Sequence, residues 1–200
     1  MSEIYTVTFD SDLVIRSEED GGDGRTVSGI VVPWNTPIPT SRDGRFATGV
    51  DKRGAFESFR RGSLTKSLNE AKKAVPLYAD HDRSRPVGTL LRSSEGDRGQ
   101  LADFRIVKTQ AGNEALELIR EGIWTGFSLG YRPVDARTVQ GTYDGLPLFE
   151  RTEVRIDHVA VLHSHAYEDA RVLAVRSDDE EAEYRASEIA AAKQRIRSRY

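Results

Sequence analysis

The sequence predicts a mainly β protein with peripheral helices (α+β) and a charged helical tail. Three observations predict it. Short β-forming runs, several of them alternating apolar and polar residues, recur along the chain between turn signals. One internal segment, 110–121, carries a helical apolar face with a cap at each end. After Ser177 the composition turns to acids, alanines and bases with few apolar residues to pack. Many short strands with one well-formed helix suggest a barrel or a sandwich, not a doubly wound sheet.

The chain has 200 residues, enough for one domain with a proper core. Apolar residues make up 38% and charged residues 30%, the balance of a soluble globular chain. A formal net charge of −3 leaves no electrostatic footprint for nucleic acid or an anionic membrane. With no cysteine, disulfide and thiolate chemistry are excluded, which suits a reducing cytosol. No apolar run reaches the roughly 18 residues of a membrane span, and the first residues lack the pattern of a signal peptide. The expectation is a protein that acts inside a cell.

Residues 4–9 are β-forming, and 13–16 continue that strand or pair with it. The acidic, glycine-rich stretch 18–25 is a turn or loop. Residues 26–32 form a strand stopped by Pro33, and 35–49, with Pro37, Pro39 and Gly44, is a loop. Phe56 and Phe59, three apart, predict a short helix over 54–61, and 64–70 a second. Residues 74–79 are a strand whose Pro76 suggests an edge or irregular position. Residues 87–91 and 101–107 form a hairpin about the 95–99 turn. Thr109 caps a helix over 110–121 that faces Ala115, Leu116 and Ile119 inward and ends at Gly122. A strand carrying Ser128 follows and ends near Pro133. Residues 135–147 are a polar loop, 149–156 a half-buried strand, and two further strands begin at His158 and Arg171. The domain is expected to span 1–176, with 177–200 a solvated helical tail whose acidic start and basic end suit the helix dipole.

The chemistry centres on Gly126-Phe-Ser128-Leu-Gly130. These letters match the G-x-S-x-G nucleophile elbow, but that motif needs a strand before it and a helix after it. Here a helix precedes and Pro133 forbids one immediately after. A lone strand serine is ordinarily a satisfied buried hydroxyl, so its meaning depends on a base. The four histidines are His81, His158, His163 and His165. His81 follows a strand between two aspartates, a setting that also fits a surface turn. At period two, His158 shares a face with Ala160 and Leu162, and Asp157 lies on the opposite face. An inward histidine needs a hydrogen-bond partner, which another imidazole can supply. His163 and His165 form a His-x-His pair that can bind metal, with Asp157, Glu168 or Asp169 as a third ligand. In a regular strand His158 points away from that pair, so the ligand set is incomplete.

Several stretches, taken in order, resemble the prohead (capsid maturation) serine protease family of HK97-like tailed phages. They are Gly29-Ile-Val-Val-Pro-Trp-Asn-Thr, Gly54-Ala-Phe-Glu-Ser-Phe, Leu77-Tyr-Ala-Asp-His81-Asp with Pro86-Val-Gly-Thr, Gly126-Phe-Ser128-Leu-Gly-Tyr, and His158-Val-Ala-Val-Leu with Ala170-Arg-Val. The resemblance covers residues 26–176 and implies a fold similar to the herpesvirus assembly proteases, a closed β-barrel of about seven strands. It implies Ser128 as nucleophile, His81 as its base and His158 as the third, orienting residue, with no cofactor. That phage family usually has glutamate at the third position. His158 there is a departure that resembles the herpesvirus proteases and implies a slow enzyme; Asp157 is the alternative. The implied substrates are the major capsid protein and scaffold segments, with the chain's own tail as a further one. The implied place is the host cytoplasm inside the assembling procapsid, as a homodimer or higher homo-oligomer, without nucleic-acid or membrane partners. Two other readings stay open: a non-catalytic assembly module of the same fold, and a metal-dependent hydrolase using His163 and His165.

Overall fold

The structure is a computed structural model that describes residues 4–10, 13–16, 23–40, 54–71, 74–134 and 137–163. The chain divides into two compact units, Met1–Ser164 and His165–Tyr200. The expected strand at 171–176, the tail at 177–200 and His165 lie outside the described residues, as does 41–49 of the expected loop.

Two sheets form among the described residues. In chain order the elements are β1 (Tyr5–Asp10), β2 (Val14–Arg16), β3 (Thr26–Pro33), β4 (Ile38–Thr40), β5 (Ala55–Phe59) and α1 (Thr65–Asn69). β6 (Pro76–Ala79), β7 (Asp82–Glu95), β8 (Gly99–Ile106) and α2 (Gln110–Arg120) follow. The last are β9 (Gly126–Pro133), β10 (Thr138–Tyr143), β11 (Leu146–Arg151) and β12 (Val154–Leu162). The large sheet has eight strands in the order β1-β9-β12-β6-β7-β8-β3-β2, and the small one four, β10-β11-β5-β4.

The mainly β class with few helices holds, but the expected closed barrel of about seven strands does not form. The large sheet is open, with β1 and β2 at its two ends. Residues 13–16 pair with β3 instead of β1, so the ladder that would close a barrel is not made. The sheet curls nonetheless: Phe104 of β8 and Phe127 of β9, four steps apart in strand order, pack with ring centroids 5.1 Å apart. Val7, Leu77, Phe104, Phe127, Leu129 and Tyr131 are fully buried in this core.

Strands expected in one barrel are diverted into the second sheet. Residues 149–156 are not one strand; the chain breaks at Thr152-Glu153 between β11 and β12. The predicted polar loop at 135–147 is largely the β10–β11 hairpin, turned at Asp144-Gly145 with φ of 48° and 70°. The predicted helix at 54–61 is strand β5, parallel to β11 and antiparallel to β4. All five β5 residues are buried, so neighbours cover both faces and a three-residue spacing of two phenylalanines carried no helical information. Pro76 is not at an edge, since β6 lies between β12 and β7. It is tolerated as the first residue of its strand because the parallel ladder to β12 starts one residue later, at Leu77.

Elsewhere expectation and structure agree. The Thr109 hydroxyl accepts from the Gly112 N–H at 3.1 Å, capping α2. α2 buries Ala115, Leu116 and Ile119, and Gly122 follows it with φ +66°, the left-handed conformation glycine adopts without strain. The β7–β8 hairpin forms, with β7 reaching back to Asp82.

Candidate active site

β9 is the strand that positions the serine. Pairing with β1 on one side and β12 on the other covers both its edges. Phe127, Leu129 and Tyr131 fill the core on one face, so Gly126, Ser128 and Gly130 take the other. Across that second face, Thr8 of β1 stands opposite Ser128, Ser128 opposite Ala160 of β12, and Ala160 opposite Tyr78 of β6. His158 stands opposite Gly130. A Cβ at Gly130 would lie 2.2 Å from His158 Cε1, so the second glycine of the motif is the seat of an imidazole and not part of an elbow.

His81 reaches this face from the two-residue turn between β6 and β7. Ala79 pairs with Asp82, and the residues between them, Asp80 and His81, both have positive φ (47° and 60°). Tight hairpins take that conformation at both central positions, and two adjacent non-glycine residues in it form a costly segment of the kind found at functional sites.

The three residues expected to act together are joined in one chain of hydrogen bonds. His81 Nε2 is 2.7 Å from Ser128 Oγ, and His81 Nδ1 is 2.7 Å from His158 Nε2. The imidazoles meet edge to face, centroids 5.0 Å apart, and the Tyr78 ring lies 5.4 Å from that of His158. Ser128 has 0% exposure. Its hydroxyl also donates to the Val7 carbonyl at 2.9 Å and accepts from Thr8 Oγ1 at 3.0 Å. Burial, reinforced by repulsion from His158, lowers the His81 pKa from 6.5 to about 4, so at neutral pH His81 carries no charge and can accept a proton.

Asp157 corrects the period-two expectation. β12 has a bulge between Ile156, opposite Tyr131, and His158, opposite Gly130. Asp157 is the extra residue, and the bulge swings its carboxylate around to His158, with Oδ2 2.9 Å from Nδ1. Arg83 of β7 and Arg132 of β9 bind the same carboxylate. Nothing in the sequence marked these two arginines, or Thr8 and Tyr78, as neighbours of the serine. The strand pairing brings them there.

The proposed metal ligand His163 is engaged elsewhere: its Nδ1 lies 2.8 Å from the Ile123 carbonyl oxygen. His165, Glu168 and Asp169 lie outside the described residues.

The sequence profile described as caudovirus prohead serine protease matches residues 11–184. No curated protein matches. Among solved structures, the bacteriophage T4 capsid assembly protease is similar at 13% identity and a TM-score of 0.48, covering 81% of this chain and 99% of its own. The varicella-zoster virus protease is similar at 13% identity and a TM-score of 0.27, covering 84% of this chain and 75% of its own. The profile match spans β2 through β12 with Ser128, His81 and His158 within it, and by it the protein belongs to the caudovirus prohead serine protease family.

Proposed function

We propose that the protein is a Ser-His-His endopeptidase that cuts capsid and scaffold segments inside the assembling procapsid, in the host cytoplasm. Its nucleophile is Ser128, its general base His81 and its orienting residue His158. The observation that carries this reading is the continuous contact from Ser128 Oγ through both nitrogens of His81 to His158 Nε2, each step 2.7 Å.

The mechanism follows from that contact. A serine hydroxyl attacks a peptide carbonyl usefully only when a base takes its proton as the bond forms. Neutral His81 accepts it at Nε2. The resulting imidazolium keeps its Nδ1–H on His158, then passes the new proton to the departing amine. Water, deprotonated by the same nitrogen, hydrolyses the acyl-enzyme. The Ser128 O–H has one proton and two acceptors, the Val7 carbonyl and His81 Nε2. In the reactive arrangement it points at His81.

The substrates, self-cleavage of the 177–200 tail and a homo-oligomeric state belong to this proposal through the family. The test is Ser128→Ala in cells co-expressing the major capsid protein. Processing is lost, while the melting temperature stays within a few degrees of wild type. A variant that processes capsid protein at the wild-type rate refutes the assignment, and Ser128 left untouched by a fluorophosphonate favours a non-catalytic assembly module.

A further inference from the structure

The hydrogen-bonded chain does not stop at His158. The outer nitrogen of that ring, Nδ1, lies 2.9 Å from Asp157 Oδ2. Arg83 holds the same oxygen, and Arg132 Nη1 holds Oδ1 at 2.9 Å. The Asp157 side chain is 13% exposed. Burial pushes its carboxyl up, but the hydrogen bond from His158 and the charges of Arg83 and Arg132 outweigh that and hold it below the ordinary aspartate range.

We propose that Asp157 is the fourth member of the Ser128–His81–His158 chain, a positioning residue whose carboxylate sets the tautomer of both imidazoles. The proposal rests on the protease reading above and supplies the negative charge that a neutral histidine in the third position lacks.

Counting protons along the chain carries the argument. An ionised carboxylate only accepts, so His158 Nδ1 must bear the hydrogen and His158 Nε2 is bare. A bare Nε2 accepts, so His81 Nδ1 bears the hydrogen and His81 Nε2 is bare. That bare nitrogen faces the Ser128 hydroxyl at 2.7 Å and is the base the reaction needs. Reversing the polarity at Asp157 reverses every link and leaves an N–H aimed at Ser128. During attack the serine proton moves to His81 Nε2 and no other proton need move. Other groups facing the chain do not set this polarity. Tyr78 of β6 offers its ring to His158, Thr8 of β1 bonds Ser128, and the Asp82 carboxylate beside His81 turns back onto Ser84.

Asp157→Leu keeps a side chain of similar size and removes both acceptor oxygens. Asparagine would not serve, because its amide oxygen in the Oδ2 position still accepts from Arg83 and His158 Nδ1 while its NH₂ faces Arg132. With leucine the His158 Nδ1 hydrogen loses its acceptor. The experiment uses the full chain and two readouts, the rate at which a fluorophosphonate labels Ser128 between pH 4 and 9 and the ¹⁵N shifts of the histidine ring nitrogens. Wild type shows His81 and His158 both protonated at Nδ1 at neutral pH. Asp157→Leu slows labelling on the order of 10²–10⁴-fold and moves His158 toward the Nε2–H form, and Asp157→Glu keeps most of the wild-type rate. A wild-type spectrum with His81 protonated at Nε2 overturns the proposal, even if the leucine variant does not fold. So does Asp157→Leu with unchanged rate and tautomers while Ser128→Ala takes no label. Label that persists in Ser128→Ala defeats the protease reading itself, and the ring-nitrogen spectrum still reports on Asp157.

Discussion

At His81 two effects meet in one imidazole. Its burial and its neighbour His158 depress its pKa to about 4, which keeps it neutral but also makes it a weaker base than a free histidine. The acid limb of kcat/KM, which reports the free enzyme, is therefore expected at about pH 4, not at 6.5. A pH–rate profile measured on a cleavable capsid segment checks this, and a limb at 6.5 contradicts the described environment. The same shift has a stability consequence. A base whose folded pKa is depressed binds more protons when unfolded, so its contribution to stability is present above about 6.5 and lost as pH falls toward about 4. At this scale the sequence was informative: Ser128, His81 and His158 were legible from their order along the chain, because each sits in a short run with its own letters. Asp157 was legible only as the alternative to His158, since strict alternation put it on the opposite face and the bulge that turns it inward has no sequence mark.

At the scale of strands, the site depends on how closely β9 and β12 fit. His158 occupies the space a side chain at position 130 would fill. Gly130→Ala is expected to push the ring off its seat and cut kcat/KM by about 10²-fold, the cost of a misplacement near 1 Å. Steady-state kinetics alongside a thermal melt would check it, and wild-type kinetics would show that the ring has room to move. The β6–β7 hairpin plays the complementary part, since it lifts His81 over the same face on a turn that needs positive φ at both central residues. The strand before that turn was readable from its apolar run. The turn type was not, because Asp-His is not a pair that announces it. β5 was misread for a related reason: a segment of five residues buried on both faces has no period to read.

The two sheets of the described unit are joined by a buried polar cluster. Tyr131 of β9 donates to Glu57 Oε2 of β5 at 2.5 Å, and Arg151 Nε of β11 bonds the same oxygen at 3.3 Å. Glu57 is 1% exposed and Arg151 3%. Burial raises the Glu57 carboxyl pKa against the pull of Arg151 and the Tyr131 hydroxyl, and burial also raises that of Tyr131. Arg151→Leu strands a buried carboxylate and is expected to destabilise the fold by about 3–5 kcal/mol, read by urea unfolding. A loss below about 1 kcal/mol would mean that the cluster is not what couples the sheets.

The β class and the capped helix α2 were already decided by the amino-acid order, because propensity, capping and alternation act over a few neighbouring residues, whereas Ser128, His81 and His158 were singled out only by the family-like stretches that hold them. Whether the large sheet closes, which strands leave it for a second sheet, and which carboxylate reaches His158 were decided by folding. Those outcomes depend on pairings between residues far apart in the chain, and a one-residue bulge is enough to change which face a side chain meets.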